Sequence, residues 1–185
     1  MIRIIKSMQE KYLLPSLELV EDVFAKWDSP EEGKMVRQLV EEIRARKYYV
    51  PELDLVMVNE KDDVIGYAMF SRFHLEGKYE NDLLILTPVA VKTELQRQHI
   101  SKEILEYGLK KAKEMGYKAA IVEGDPKNYA PRGFMPSYKF GIEAGENVQL
   151  PHPDCLMAIE LVEGGLSNIK GSVDYSFYDA LHEGS

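Results

Sequence analysis

The sequence predicts a mixed α/β (α+β) fold formed by the whole chain of 185 residues. Three observations predict it. Apolar residues recur at helical spacing in three segments, β-rich apolar runs stand between those segments, and no linker long enough to divide the chain is visible. The predicted element order is β-α-α-β-β-β-α-β-(α)-β-β. A chain of this length suits one domain, so a single domain over residues 1–185 is expected.

Two helices are predicted after a short first strand around Ile2, Ile4 and Ile5. The first helix is expected to have Pro15 near its start. Its predicted apolar face consists of Leu17, Val20, Phe24 and Trp27. The second helix is predicted to begin at Ser29-Pro30-Glu31-Glu32, because Ser followed three residues later by Glu is a capping box.

The rest of the chain alternates strands with one long helix. Residues 53–59 and 64–72 are β-rich runs around a polar turn, which predicts a hairpin, and residues 83–91 form the next predicted strand. A helix then ends before Gly116, which is well placed as the residue after a helix C-terminus. Its predicted apolar face consists of Ile100, Ile104, Leu105, Leu109, Ala112 and Met115. Further strands are predicted at 118–123 and 156–162, with a short irregular or helical piece at 126–133.

The net charge of −8 is concentrated in one part of the chain. Residues 143–185 contain eight acidic residues and one basic residue, so this acidic C-terminal segment carries almost all of the excess negative charge. An acidic chain is a poor match for nucleic acid or for an anionic membrane surface, and neither partner is expected.

Cysteine usage and hydropathy predict a cytoplasmic protein. Cys155 is the one cysteine, so neither an intrachain disulfide nor a cysteine zinc site is available, and no metal is expected. No signal peptide is evident, and no apolar run approaches the roughly 20 residues of a bilayer span.

The junction between strand 83–91 and the long helix is the first candidate functional site. A strand that enters a tight loop at a helix N-terminus presents unpaired backbone N–H groups and the positive end of the helix dipole to an anion. The loop reads Gln96-Arg97-Gln98-His99-Ile100-Ser101, and Arg97 adds a cation. Phosphate or pyrophosphate is the natural occupant. A surface loop that merely caps an amphipathic helix is an equally good interpretation of these residues alone.

The order and spacing of several segments resemble the GNAT acetyltransferase superfamily, and within it a YhbS-like bacterial branch of predicted N-acetyltransferases. Residues 86–91, Leu-Thr-Pro-Val-Ala-Val, look like the family's strand L-G-P-L-A-V, and residues 96–101 occupy its cofactor loop. Residues 124–134 look like the stretch G-D-P-x-Y-Y-x-x-x-G-F. The resemblance covers residues 50–180 and implies the GNAT fold, a mixed and mostly antiparallel sheet flanked by helices.

The resemblance also implies an activity and a site. The activity is an acyl-CoA-dependent N-acetyltransferase that passes an acetyl group from acetyl-CoA directly to a primary amine in a ternary complex. Tyr129 corresponds to the family's general acid. The implied cofactor-binding residues are Val89, Ala90 and Val91 for the pantetheine arm, Gln96, Arg97, Gln98, His99, Ile100, Ser101 and Lys102 for the pyrophosphate, and Asn128.

One departure from the family pattern leaves an alternative open. His99 and Ser101 stand where the family has loop glycines, whose role is close approach of the backbone to the pyrophosphate. The alternative is therefore a non-catalytic CoA-binding or regulatory module with a degenerate loop.

The identity of the acceptor, the formation of a homodimer and the identity of the general base also stay open. The acidic segment favours a cationic amine as acceptor. The candidate bases are Glu21, Asp22, Glu80, Asp82 and Asp125.

Overall fold

The computed structural model describes residues 1–181, so the last residues of the acidic segment, 182–185, lie outside the described chain. Two compact units are present. Unit 1 comprises residues 1–71, 87–108 and the described residues from 178 onward, and unit 2 comprises residues 72–86 and 109–177. The prediction of a single domain stays a prediction.

Unit 1 contains the N-terminal strands and the long helices. Its elements are β1 (Ile4–Ser7), α1 (Glu10–Trp27), α2 (Pro30–Arg44), β2 (Asp54–Val58), most of β3 (Val64–Arg72), the second half of β4 (Leu83–Val91) and the first turns of α3 (Ile100–Glu114). β2 pairs antiparallel with β1, at Ile4↔Val58, and with β3, at Asp54↔Met69. All five residues of β2 are buried, which explains why this strand is an uninterrupted apolar run after Asp54.

Unit 2 contains the remaining strands. Its elements include the first half of β4, the end of α3, β5 (Ala119–Glu123), α4 (Pro126–Tyr129), β6 (Met135–Pro136), β7 (Ile142–Ala144), β8 (Leu156–Glu160) and β9 (Gly171–Val173). β5 pairs parallel with β4 and antiparallel with β8, which also pairs antiparallel with β6. β7 and β9 form a separate two-stranded parallel sheet.

The strand order of the larger sheet is β1-β2-β3-β4-β5-β8-β6, and β4 contributes residues to both units. The expected mixed and mostly antiparallel sheet is therefore confirmed. The parallel pair, β4–β5, is joined through α3, as a parallel connection requires a long crossover.

Most predicted elements are confirmed, and their caps explain why. Ser29 Oγ accepts a hydrogen bond from Glu32 N–H (3.1 Å) at the start of α2. At the end of α3, Gly116 has φ +98°, and the N–H groups of Gly116 and Tyr117 donate to Lys113 and Ala112. These two bonds define a Schellman motif, so the predicted glycine ends the helix.

Several details of the prediction are wrong. β1 begins at Ile4, leaving Ile2 outside it, and α1 begins at Glu10, so Pro15 lies inside this helix rather than near its start. α1 buries Tyr12, Ser16, Leu19 and Val20, whereas Trp27 is 78% exposed. Met115 lies beyond the end of α3 and is exposed. β8 ends at Glu160, and the short strands β6, β7 and β9 have no individual counterpart in the prediction.

A buried polar cluster joins α1, α2, β2 and β3 within unit 1. Asp54, fully buried in β2, accepts hydrogen bonds from Arg44 Nε (2.9 Å), Tyr49 OH (2.5 Å) and the hydroxyl of Tyr67. Arg44 Nη2 also donates to Ser16 Oγ at 2.9 Å. Each buried polar atom in the cluster therefore has a partner, and α1 and α2 are held on the strands by directional contacts as well as by apolar packing.

Candidate active site

The second half of β4 extends past its pairing with β5. The register with β5 runs from Leu83↔Ala119 to Ile85↔Ile121, and β4 continues to Val91. Pro88, which lacks an N–H and is typical of strand edges, lies in this extension. Val89 and Val91 are half-buried, whereas Ala90 between them is 2% exposed. Among the described pairs, the extension has no partner on the β5 side, so its backbone can accept an added extended chain.

The loop after β4 takes up a backbone conformation that ordinary residues rarely adopt. A short 3-10 turn at Thr93–Leu95 follows the strand. Arg97 has φ +66° and His99 has φ +65°, both in the left-handed region. His99 therefore adopts the conformation for which a glycine would be the default, and it does so at a steric cost.

The loop leads directly into α3, whose first residue is Ile100. Glu103 N–H donates to the carbonyl of His99 (3.0 Å), which is the first bond of the helix. The N–H groups of Ile100, Ser101 and Lys102 precede this bond, and the start of a helix leaves such groups without an intrahelical acceptor. Ile100 is buried, and its side chain lies so close to Gly66 that a Cβ there would come within 2.8 Å. The helix start is thus anchored against β3.

Charged side chains surround this helix start. Arg97, Gln98 and His99 are exposed, and so is Lys102. Arg3, which immediately precedes β1, donates from Nη1 to the carbonyl of Gln98 (2.7 Å) and lies 3.6 Å from Glu103. Arg3 is absent from the residues predicted for the site, because 95 residues separate it from Gln98 and nothing local marks it.

The local geometry of residues 97–102 is therefore suited to binding an anion, whatever family the chain belongs to. Three consecutive helix-start amides, two left-handed residues and the cations Arg97 and Lys102 lie within six residues. Gln96, the residue before this loop, donates from Nε2 to the carbonyl of Val91 (3.5 Å). These donors match the chemistry of a pyrophosphate.

Tyr129 lies at the end of α4 in unit 2, in a close-packed position. Its ring contacts Phe134 edge-on, with centroids 5.7 Å apart. It also lies against Gly124, where a Cβ would come within 2.5 Å of ring atom Cε2. Desolvation raises the pKa of Tyr129 above its ordinary value of 10.0, and Arg132 partly opposes that effect. Because its pKa lies above 10.0, this phenol is protonated at neutral pH and has a proton to give. Among the described residues, no group hydrogen-bonds its hydroxyl.

Asn128 precedes Tyr129 and is exposed. Its backbone is fixed at both ends, because its N–H donates to Asp125 (2.9 Å) and its carbonyl accepts from Arg132 Nη1 (2.6 Å). Asp125 caps α4 through Lys127 N–H. Asn128 and Tyr129 belong to unit 2, whereas residues 89–102 belong to unit 1.

The candidate bases differ in how they are engaged. Glu21 pairs with Arg37 (3.2 Å), Asp22 with Lys26 (3.0 Å) and Asp82 with Lys118 (3.7 Å). Asp125 is a helix cap, and Glu80 also has an interaction partner. Each of these five carboxylates is therefore already engaged in a contact of its own.

Glu123 is a further candidate base, and it is absent from the residues predicted for the site. It is the last residue of β5, six residues before Tyr129, and desolvation raises its pKa above the ordinary value of 4.5. In the described part of the chain no cation pairs with it. A carboxylate at the C-terminal end of a strand before the G-D-P stretch was the available signal.

Comparisons with known proteins decide the family. The family model described as Acetyltransferase (GNAT) family matches residues 17–140, which is more than half of the chain. The chain belongs to the GNAT acetyltransferase family. This confirms the expected enzyme class, an acyl-CoA-dependent N-acetyltransferase with acetyl-CoA as the donor.

Individual relatives agree with this assignment. The chain is 26% identical over 152 residues to the uncharacterized N-acetyltransferase YhbS of Escherichia coli (strain K12), covering 80% of this chain and 83% of that protein. The crystal structure of E. coli YhbS in complex with CoA superposes with a TM-score of 0.82 at 22% identity, over 99% of this chain and 93% of that one. A GNAT acetyltransferase from Brucella melitensis in complex with acetyl-CoA gives a TM-score of 0.61 at 24% identity, over 72% and 82% of the two chains. The GNAT fold is confirmed.

Metal-binding clusters and membrane-spanning helices are both absent from the described residues of this GNAT chain. Residues 1–181 contain no cluster of three or more His, Cys, Asp or Glu side chains arranged to hold a metal ion. No helix within that range is long and apolar enough to cross a membrane.

Proposed function

We propose that this chain holds acetyl-CoA along residues 89–102 and passes its acetyl group directly to a primary amine in a ternary complex. The observation that carries the proposal is the backbone of residues 97–102, which has two left-handed residues and a helix start, whose first amides have no intrahelical acceptor. The amides of Ile100, Ser101 and Lys102 would hold the pyrophosphate, helped by Gln96, Arg97, Gln98 and His99. The unpaired extension of β4, Val89-Ala90-Val91, would pair with the pantetheine arm.

Tyr129 is the proposed general acid, and Asn128 a cofactor contact beside it. The amine nitrogen bonds to the acetyl carbonyl carbon, the carbon–sulfur bond breaks, and the hydroxyl of Tyr129 gives its proton to the departing thiolate. The raised pKa of Tyr129 and its unpaired hydroxyl support this role, because an acid must be protonated and not engaged elsewhere. The nitrogen loses its remaining extra proton to solvent as the amide forms, and Tyr129 takes a proton back from solvent after the thiol leaves.

Glu123 is the proposed base that takes a proton from the amine. A primary ammonium cannot attack a carbonyl, so one proton must leave the nitrogen before transfer. The raised pKa of Glu123 makes it a better proton acceptor than an ordinary carboxylate.

The decisive experiment measures thiol release from acetyl-CoA with a panel of amines. Tyr129→Phe should lower kcat by roughly 10²- to 10⁴-fold, the range typical of general acid catalysis, and should leave KM for acetyl-CoA within about twofold. Tyr138→Phe is the matched control, because Tyr138 is an exposed tyrosine whose hydroxyl bonds Asp154 (2.8 Å). An unchanged kcat in Tyr129→Phe would refute the assignment.

The same assay separates the enzyme from the alternative of a non-catalytic module. That alternative is motivated by His99 and Ser101 in place of glycines. Thermal stabilisation by CoA without thiol release for any amine would favour the module. The absence of both stabilisation and turnover would sink both proposals.

The proposed acceptor is a cationic amine. Residues 143–185 carry eight acidic residues and one basic residue, and this excess of negative charge would raise the local concentration of a cation. A homodimer stays a prediction.

A further inference from the structure

We infer that Arg3 is a positioning residue for residues 97–102, the loop proposed to hold acetyl-CoA. Arg3 takes over the conformational role that a glycine at position 99 would otherwise have. The inference rests on the proposed function, because it assigns a purpose to the loop that would hold the pyrophosphate. Its starting point is that His99 has φ +65°, a left-handed conformation that is uncommon for a residue with a side chain. Something in the fold must hold it there.

The guanidinium of Arg3 fixes the peptide immediately before His99. Arg3 Nη1 donates to the carbonyl of Gln98 at 2.7 Å, a charge-assisted hydrogen bond. In a trans peptide the C=O and the following N–H point in opposite directions. The Gln98–His99 peptide is trans. With the Gln98 carbonyl turned to Arg3, the His99 N–H is turned away from Arg3.

The other end of His99 is also fixed. Its carbonyl accepts from Glu103 N–H (3.0 Å), which sets the first turn of α3. The carboxylate of Glu103 in turn lies 3.6 Å from Arg3 Nη2. These contacts therefore form a closed ring through Arg3, Gln98, His99 and Glu103. Both peptide groups that flank His99 are oriented by that ring. Rotation of either peptide would break a contact in that ring.

The placement of Arg3 makes this constraint independent of the loop's own sequence. Arg3 is a quarter exposed and immediately precedes β1, whose first residue, Ile4, pairs with Val58 of β2. The guanidinium is thus carried by the sheet rather than by the loop. A glycine would allow the left-handed conformation at no steric cost, whereas His99 needs this external hold.

The test is a double-mutant cycle between Arg3→Ala and His99→Gly on the full chain, with any tag at the C-terminus. The probes are CoA and pantetheine, which lacks the pyrophosphate. Arg3→Ala should weaken CoA binding by roughly three- to tenfold, as expected for loss of a partly exposed charged hydrogen bond. Pantetheine binding should stay within about twofold, and kcat at saturating acetyl-CoA should not change. In the His99→Gly background, Arg3→Ala should cost less than about twofold.

A matched control and distinct outcomes complete the test. Arg37→Ala removes an arginine of similar exposure (29%) that is ion-paired to Glu21, and it should not alter CoA affinity. Equal losses from Arg3→Ala in both backgrounds would overturn the inference, because Arg3 would then act as a simple charge. No loss in the wild-type background would also overturn it, while leaving the proposed function intact. A wild-type chain that binds no CoA would sink both.

Discussion

At the scale of single residues, two groups of titratable side chains have opposite roles. Asp54 is buried and fully partnered by Arg44, Tyr49 and Tyr67, and it serves the fold. Partial desolvation raises the pKa of exposed Glu123 and of half-buried Tyr129, and in the described residues neither has a hydrogen-bonded side-chain partner. A titratable group with a shifted pKa and no side-chain partner is available for chemistry.

Removing Asp54 should destabilise the protein strongly. Asp54→Ala would leave the guanidinium of Arg44 without its carboxylate, and loss of one partner of a buried pair costs about 3–5 kcal/mol of unfolding free energy. Urea unfolding measures the change. Asp22→Ala is the control, because Asp22 pairs with Lys26 at 3.0 Å on the exposed face of α1. It should cost less than about 0.5 kcal/mol. Similar losses in the two variants would contradict the importance of the buried cluster.

The pH dependence of kcat should have limbs set by Glu123 and Tyr129. A base works deprotonated, so the raised pKa of Glu123 places the acidic limb above pH 4.5. An acid works protonated, so the raised pKa of Tyr129 places the alkaline limb above pH 10.0. Measured at saturating substrates, Glu123→Gln should remove the acidic limb. Glu114→Gln, at the exposed end of α3, should not. An acidic limb that persists in Glu123→Gln would exclude Glu123 as the base.

At the scale of elements, two glycines of α3 and its C-terminus serve different physical purposes. Gly116 ends the helix with φ +98°, and a Cβ added there would meet no other atom within 4 Å. Gly108 lies inside the helix, where a Cβ would come within 2.3 Å of Phe70 Cε1. The first is needed for its backbone conformation and the second for its lack of volume.

The two substitutions to alanine should therefore both destabilise, for separable reasons. Gly116→Ala should cost about 1 kcal/mol, because alanine resists the left-handed region. Gly116→Asn should cost less. Gly108→Ala gains about 1 kcal/mol of helix propensity but overpacks the contact with Phe70, which costs about 1–3 kcal/mol. A net loss is expected. Urea unfolding of the three variants tests this, and a stabilised Gly108→Ala would show that α3 can shift away from β3.

Elements with strong local signals could be predicted from the sequence, and others could not. The run of residues 83–91 and the cap at Ser29 coincide with β4 and α2, since periodicity and capping are local properties. β6, β7 and β9 have two or three residues each, too few to show any period. The helical spacing of Trp27 was misleading, because a helix pattern fixes which residues share a face but not which face is covered.

The candidate site was predictable to the same extent. Residues 96–101 and Tyr129 could be singled out because they are contiguous or regularly spaced. The left-handed conformation of Arg97 could not, since no local signal marks it, and that of His99 was indicated only by the glycine that the family has at this place. Arg3 could not either, because its contact with Gln98 depends on how β1 pairs with β2.

At the scale of the whole molecule, the distribution of charge bears on the acceptor. Residues 1–142 are nearly neutral, and the later residues are strongly acidic. If that excess attracts a cationic amine, KM for the amine should rise several-fold between about 0.02 and about 0.5 M salt, because added ions shorten the range of the attraction. KM for an amine that carries no charge besides its reacting amino group serves as the comparison. A preference for anionic acceptors would argue against the proposal.

The path of the chain through unit 1 has a consequence for synthesis on the ribosome. Glu42 of α2 accepts hydrogen bonds from the N–H groups of Asp179 (3.1 Å) and Ala180 (2.8 Å). These residues follow all of unit 2 in the sequence. The N-terminal helices therefore emerge well before their last backbone partners have been translated. Until then Glu42 has Arg46, just past the end of the same helix, as a partner (2.8 Å), so the final closure of unit 1 is a late event of vectorial folding.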